Sequence, residues 1–266
     1  HIFEPKIDGH RLLYSREAGK VRLYTKQAEE VTLTYPELWS GIPEDVVLDG
    51  EVAVTDPVTG DLSVELLKER LRLREGRRIE VLAASNPVHL IVFDVLRYRG
   101  RDLRALPLTR RKAILQTIPI HNPYISVIPY VEQEGIRFFQ SIKEQRMEGM
   151  VAKKKDSKYV SGRRVSAWQN VIHWTALDVV ITGYRRSAFG WIVSVEEGDQ
   201  LRPAGIITCG VAAKHKKVFY SVCKTMESGS YKDIILLEPR LRAKIKTRNF
   251  TRNGMLRHPE FIDFIA

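Results

Sequence analysis

The sequence predicts an α+β architecture in two parts. Residues 1–174 read as a larger domain of mixed or antiparallel sheets with a few helices, and residues 175–266 as a small β-barrel. Three observations lead there. Strand-length apolar runs and amphipathic helical stretches are interspersed without the regular alternation of a doubly wound sheet. Beyond about residue 175, strand-like runs at 177–184, 189–195, 203–212 and 234–247 follow closely, divided by turn signals such as Glu197-Gly198-Asp199. No repeat or low-complexity tether separates the parts, so the boundary near 174–176 reads as a short hinge.

The elements follow from local pattern. Residues 11–25 alternate apolar and polar positions around a turn at Glu17 to Lys20, which predicts a hairpin. DVVLDGEVAV (45–54) is a valine-dense strand, and SVELLKERLRL (63–73) has helical apolar spacing. HLIVFDVLRY (89–98) is a continuous apolar run, the mark of a central strand covered on both faces. LTRRKAILQTI (108–118) and EQEGIRFFQSIKEQRM (132–147) read as helices, and GMVAKKK (149–155) as a strand.

Of the 266 residues, 44% are apolar and 28% charged, the balance of a water-soluble globular chain. No apolar run approaches the ~20 residues that span a bilayer, and no signal peptide is visible, so a protein without membrane contact, cytoplasmic in a bacterium or located with the DNA, is expected. The chain starts at His1, without Met, inside a strand-like run, so upstream residues are expected to be missing. Cys209 and Cys223 are too few for a disulfide scaffold, and even with His215 they lack the paired spacing of a zinc site. Two buried free thiols are expected.

The net charge of +11 favours a polyanionic partner. Residues 1–173 carry 28 basic and 23 acidic side chains, net +5, and residues 174–266 carry 15 and 9, net +6 in about half the length.

The stretch EPKIDGHR (4–11) crowds a lysine, an acid, a glycine and an arginine together. Alone, it reads equally well as an edge strand entering an Asp-Gly turn. Four further stretches complete a series: LDGEVAV (48–54), VFDVLRYRG (92–100), EGMVAKKK (148–155) and GRRVSAWQNVIHW (162–174). Their order, spacing and strand context resemble the nucleotidyltransferase motifs of the ATP-dependent DNA ligases, over residues 3–174. PLTRRKAIL also resembles a Pro-Leu-x-x-Arg-Arg segment of that family.

The resemblance implies roles for individual residues. Lys6 would attack the α-phosphate of ATP and form a lysyl-AMP, which requires a neutral amine. Gly9 would bring the backbone close to the nucleotide, Arg11 would lie near its phosphate or ribose, and Glu4 would contact adenine. Glu51 matches the acid that contacts the ribose or a metal, Phe93 the aromatic stacked on adenine, and Glu148 the metal-associated glutamate. Lys153 matches a nucleotide-contacting lysine, and Lys26 stands where the family usually has arginine. Two acids around a triphosphate suit Mg²⁺.

Two departures stand out. The fifth motif normally reads Trp-x-Lys-x-Lys, but Trp168 is followed by Gln169, Asn170, Val171 and Ile172. The absent lysines would hold the α-phosphate and help keep the nucleophile deprotonated, so Asn170 implies slow self-adenylation. Val165 also replaces a serine. Residues 175–266 resemble the ligase oligonucleotide-binding (OB) barrel, with Arg257 in NFTRNGMLRHPEF implied to orient pyrophosphate.

The expected protein is thus a monomeric ATP-dependent DNA ligase that seals nicks in double-stranded DNA during repair or replication. The alternatives are an RNA ligase or capping-type nucleotidyltransferase, and a ligase-like DNA-binding protein with impaired adenylation.

Overall fold

The computed structural model describes residues 1–163, 165–248, 250–251 and 253–265. Arg164 of the Gly-x-Arg segment, and Asn249 and Arg252 of NFTRNGMLRHPEF, lie outside the described residues. The chain divides into two compact units, His1–Val171 and Ile172–Ala266.

In chain order the first unit holds β1 (Ile2–Pro5), β2 (His10–Glu17), β3 (Lys20–Thr25), β4 (Val46–Ala53), α1 (Val64–Arg72), α2 (Gly76–Ser85) and β5 (His89–Tyr98). There follow β6 (Arg101–Asp102), α3 (Leu108–Leu115), β7 (Ile125–Val127), β8 (Val131–Glu132), α4 (Gly135–Glu144), β9 (Gly149–Lys153) and β10 (Trp168–Ile172). They build two sheets. One has the order β10-β9-β1-β8; the other runs β3-β2-β4-β5-β6, with β7 added to β5 in parallel.

Local chemistry explains the elements. The β2–β3 hairpin turns at Ala18 and Gly19, both at positive φ, the turn geometry whose twist suits two strands. Its inward residues Leu12, Tyr14 and Leu23 join Leu48, Leu90 and Val92 in the core. Ser63 caps α1 by accepting from the Leu66 amide at 3.2 Å. Helix α4 is shorter than the 132–147 pattern suggests, because Val131–Glu132 pairs with β1 and Arg146 turns at φ 54. Helix α2 escapes the periodicity reading because Ile79 alone among its residues is fully buried.

The second unit holds β11 (Thr175–Arg185), β12 (Trp191–Glu197), β13 (Gln200–Ile207), α5 (Ala213–Val222), β14 (Glu227–Tyr231), β15 (Ile234–Thr247) and β16 (Glu260–Ile265). The strand order is β13-β12-β11-β15-β14, with β16 on β15, and every pairing is antiparallel. Long β15 pairs β14 through its first half and β16 through its second. Trp191 centres the core, with Phe219 of α5 and Phe261 of β16 against it. The 203–212 run is a strand only to Ile207, and the helix after it was not expected. That exit from the sheet corrects the reading of the cysteines: Cys209 is exposed and Cys223 buried. No helix among the described residues is long and apolar enough to cross a membrane.

Candidate nucleotide site

Lys6 to Gly9 do not form a hairpin turn. β1 lies inside the four-stranded sheet and β2 in the other, so the tetrapeptide crosses between sheets. The Lys6 amide donates to the Gly149 carbonyl at 2.8 Å, which ties the crossover to β9. A Cβ on Gly9 would stand 2.0 Å from the Val52 carbonyl oxygen, so the close approach that demands glycine here is to β4. Gly50 serves a similar end, since a Cβ there would lie 2.8 Å from the Ile91 carbonyl oxygen.

Around this crossover opens a cleft of about 650 Å³. Nine of the eleven residues given roles above line it: Glu4, Lys6, Gly9, Arg11, Lys26, Glu51, Phe93, Lys153 and Asn170. They come from both sheets, from six strands and two loops. Glu148 is not on the cleft wall, but the Lys6 Nζ donates to its Oε2 at 2.6 Å. Arg257 belongs to the second unit.

Most of these side chains are already engaged. Arg11 Nε donates to Asp49 Oδ1 at 2.9 Å, and Arg11 Nη2 donates to the Tyr159 hydroxyl at 2.9 Å. Tyr159 in turn donates to Asp49 Oδ2 at 2.8 Å. This triad raises the Arg11 pKa, chiefly through the Asp49 hydrogen bond, while burial pushes Tyr159 up. Glu4 is buried between two lysines, paired with Lys112 through Oε1 and with Lys153 through Oε2 at 2.6 Å. The Lys153 ammonium also stands 4.4 Å from the Phe93 ring centre and 3.9 Å from that of Trp168. Phe93 and Trp168 meet edge to face at 5.9 Å.

Glu51 faces Arg11 across the β2–β4 pairing. Burial pushes its carboxyl up to about 7, against the opposing pull of Lys6 and Arg11. His10 also lines the cleft; its Nε2 lies 2.7 Å from the Tyr35 hydroxyl, and burial lowers its pKa. Asn170 is exposed and supplies no charge.

The donor set fits Mg²⁺ of one kind only. Among the described residues no three His, Cys, Asp or Glu side chains gather into a cage, but Glu51 and Glu148 flank Lys6 electrostatically. Magnesium commonly binds through one or two carboxylates together with substrate phosphates, so the residues suit an ion arriving with a nucleotide.

Motif reading passed over Asp49, Tyr159 and Lys112. For Lys112 a signal existed. Leu108, Arg111, Lys112 and Leu115 occupy the i, i+3, i+4, i+7 face of α3, and all four are buried. Two cations on a core-facing stripe require internal acids, here Asp94 and Glu4.

The cleft lies between two sheets with a lysine at the crossover, and the class comes from the family match: a nucleotidyltransferase. Residues 1–171 match the family model described as ATP dependent DNA ligase domain. The chain belongs to the ATP-dependent DNA ligases. It is 34% identical over 262 residues to the SPbeta prophage-derived DNA ligase-like protein LigB of Bacillus subtilis, covering 98% of this chain and 91% of that one. It is 30% identical over 278 residues to the multifunctional non-homologous end joining DNA repair protein LigD of Mycobacterium tuberculosis, covering 96% of this chain but 35% of that protein. The solved ligase domain of M. tuberculosis LigD superposes with a TM-score of 0.58 at 25% identity, covering 99% of this chain and 88% of that one.

Proposed function

We propose that this ligase seals nicks in duplex DNA through a lysyl-AMP on Lys6, working as a monomer. The observation that carries the reading is the crossover lysine at the cleft, 2.6 Å from Glu148. Lys6, its surplus proton passed through Glu148 to solvent, attacks the α-phosphorus as the neutral amine, a nitrogen–phosphorus bond forms, and pyrophosphate leaves. AMP then passes to the 5′-phosphate of the nick, and the 3′-hydroxyl displaces it. Mg²⁺, held by Glu51 and Glu148, would supply charge neutralisation for the phosphates. Glu4 and Phe93 orient the base, and Lys26 faces the phosphates as a point charge without the fork of an arginine. Holding the reactants in line is most of the catalysis.

We read the second unit as the OB barrel, with Arg257 given the pyrophosphate role on the family resemblance alone. Its surplus of six positive charges suits contact with the DNA backbone. The DNA repair named for the mycobacterial relative is the pathway we favour here.

Asn170 supports a second reading, a ligase-like DNA-binding protein with impaired adenylation. One experiment separates the two. The chain is incubated with a nicked duplex and labelled ATP, GTP or NAD, with Mg²⁺ or a chelator. Sealing with ATP and Mg²⁺ alone supports the ligase; DNA binding without sealing or covalent label supports the second reading.

A further inference from the structure

We propose that Lys112 is a positioning residue for base recognition: with Lys153 it fixes the Glu4 carboxylate in the cleft wall, so that the site favours a purine carrying a 6-amino group. The inference deepens the reading of Glu4 as a base contact and rests on it.

Glu4, Lys112 and Lys153 are each at most 2% exposed. The two lysines take different oxygens of the one carboxylate, which therefore cannot rotate without breaking an ion pair. Lys153 is itself immobilised between Phe93 and Trp168. Glu4 and Lys153 line the cleft, whereas Lys112 reaches Glu4 from α3, behind the wall. The adjacent α3 residue, Arg111, grips Asp94 at 2.8 Å through both carboxylate oxygens, next to Phe93 in sequence. One turn of one helix thus anchors the strands bearing both proposed base contacts.

Three buried charges are costly to assemble and are retained where their geometry matters. A carboxylate held in place accepts a hydrogen bond from an amino group and repels the carbonyl oxygen that a 6-oxo purine presents there. Lys112 touches no nucleotide in this scheme. It acts through Glu4.

The test measures initial rates of covalent labelling of the full chain by ATP and by purine riboside triphosphate, which lacks the 6-amino group. The parent should prefer ATP by about tenfold or more. Lys112→Met should raise the KM for ATP about tenfold while leaving kcat, and both constants for the analogue, nearly unchanged. In a Glu4→Gln background the same substitution should have no further effect on ATP, because the group it acts through is gone. Lys112→Gln keeps a donor for Glu4, gives the same pattern at smaller size, and serves where Lys112→Met does not fold. A parent that labels equally with both nucleotides overturns the proposal, as does a Lys112 variant that slows both alike or loses as much in the Glu4→Gln background. A parent that takes no label overturns the proposed function instead.

Discussion

The Lys6 ammonium and the Glu148 carboxylate, 142 residues apart in sequence, meet at 2.6 Å beside the cleft. The contact holds the Lys6 side chain where the crossover from β1 places it. Glu148→Gln keeps an acceptor but removes the charge. Glu148 can take the proton that Lys6 must lose before attack, so self-adenylation should fall by about a hundredfold, the low end of what a positioned acid or base contributes. Pre-steady-state labelling at saturating ATP checks this, and an unchanged rate would count against the pairing's role.

Glu51 predicts a pH signature. Its carboxyl ordinarily loses its proton near 4.5 but keeps it to about 7 in the fold, mainly because burial disfavours the charge. Between those values the folded chain binds more protons than the unfolded one, so this group's contribution to stability falls as pH rises and then levels off above 7. Glu51→Gln removes that slope. The variant should match the parent near pH 4 and exceed it at pH 8 by on the order of 2 kcal/mol, allowing for partial exposure. Urea titrations at the two pH values measure the difference.

The Arg111–Asp94 pair, with both side chains wholly buried, should be a keystone of the first unit. Asp94→Ala would leave the guanidinium without its acid and cost about 3–5 kcal/mol. Replacing both residues by apolar ones of similar volume should recover much of that loss. Thermal melts of the single and double variants check the comparison.

Asn170 lines the cleft where the resembling motif has a lysine. Lys153 is held at Glu4 and between two rings, so its charge is committed elsewhere. Asn170→Lys should therefore accelerate self-adenylation more than about tenfold, through charge developing on the phosphate in the transition state. Sealing of a nick already carrying 5′-AMP should change much less. A variant labelled at the parent's rate would show that the missing cation is supplied from another residue.

Much of this was legible in the sequence, and for physical reasons. The β2–β3 hairpin and α1 announce themselves because each buries one regular face, and β4 and β5 through apolar runs of strand length. The cleft residues were found through the resemblance of five motif stretches in order, since Lys-x-Asp-Gly-x-Arg alone reads equally well as a plain turn. What stayed hidden were the partners. Asp49 and Tyr159 earn their places only through contacts 38 to 148 residues away in the chain, which no local period encodes, and for Lys112 the helical period marks burial but not its partner Glu4. Helix α5 was missed for the opposite reason: its sole fully buried residue, Phe219, gives almost no pattern.

The central claim is that Lys6 carries the AMP. The most direct measurement is the intact mass of the chain after incubation with ATP and Mg²⁺, followed by peptide mapping, beside Lys6→Ala. The account predicts one added AMP, located on Lys6, and none on the variant. An adenylate mapped to Lys26 or Lys153, or a variant that labels like the parent, would contradict it.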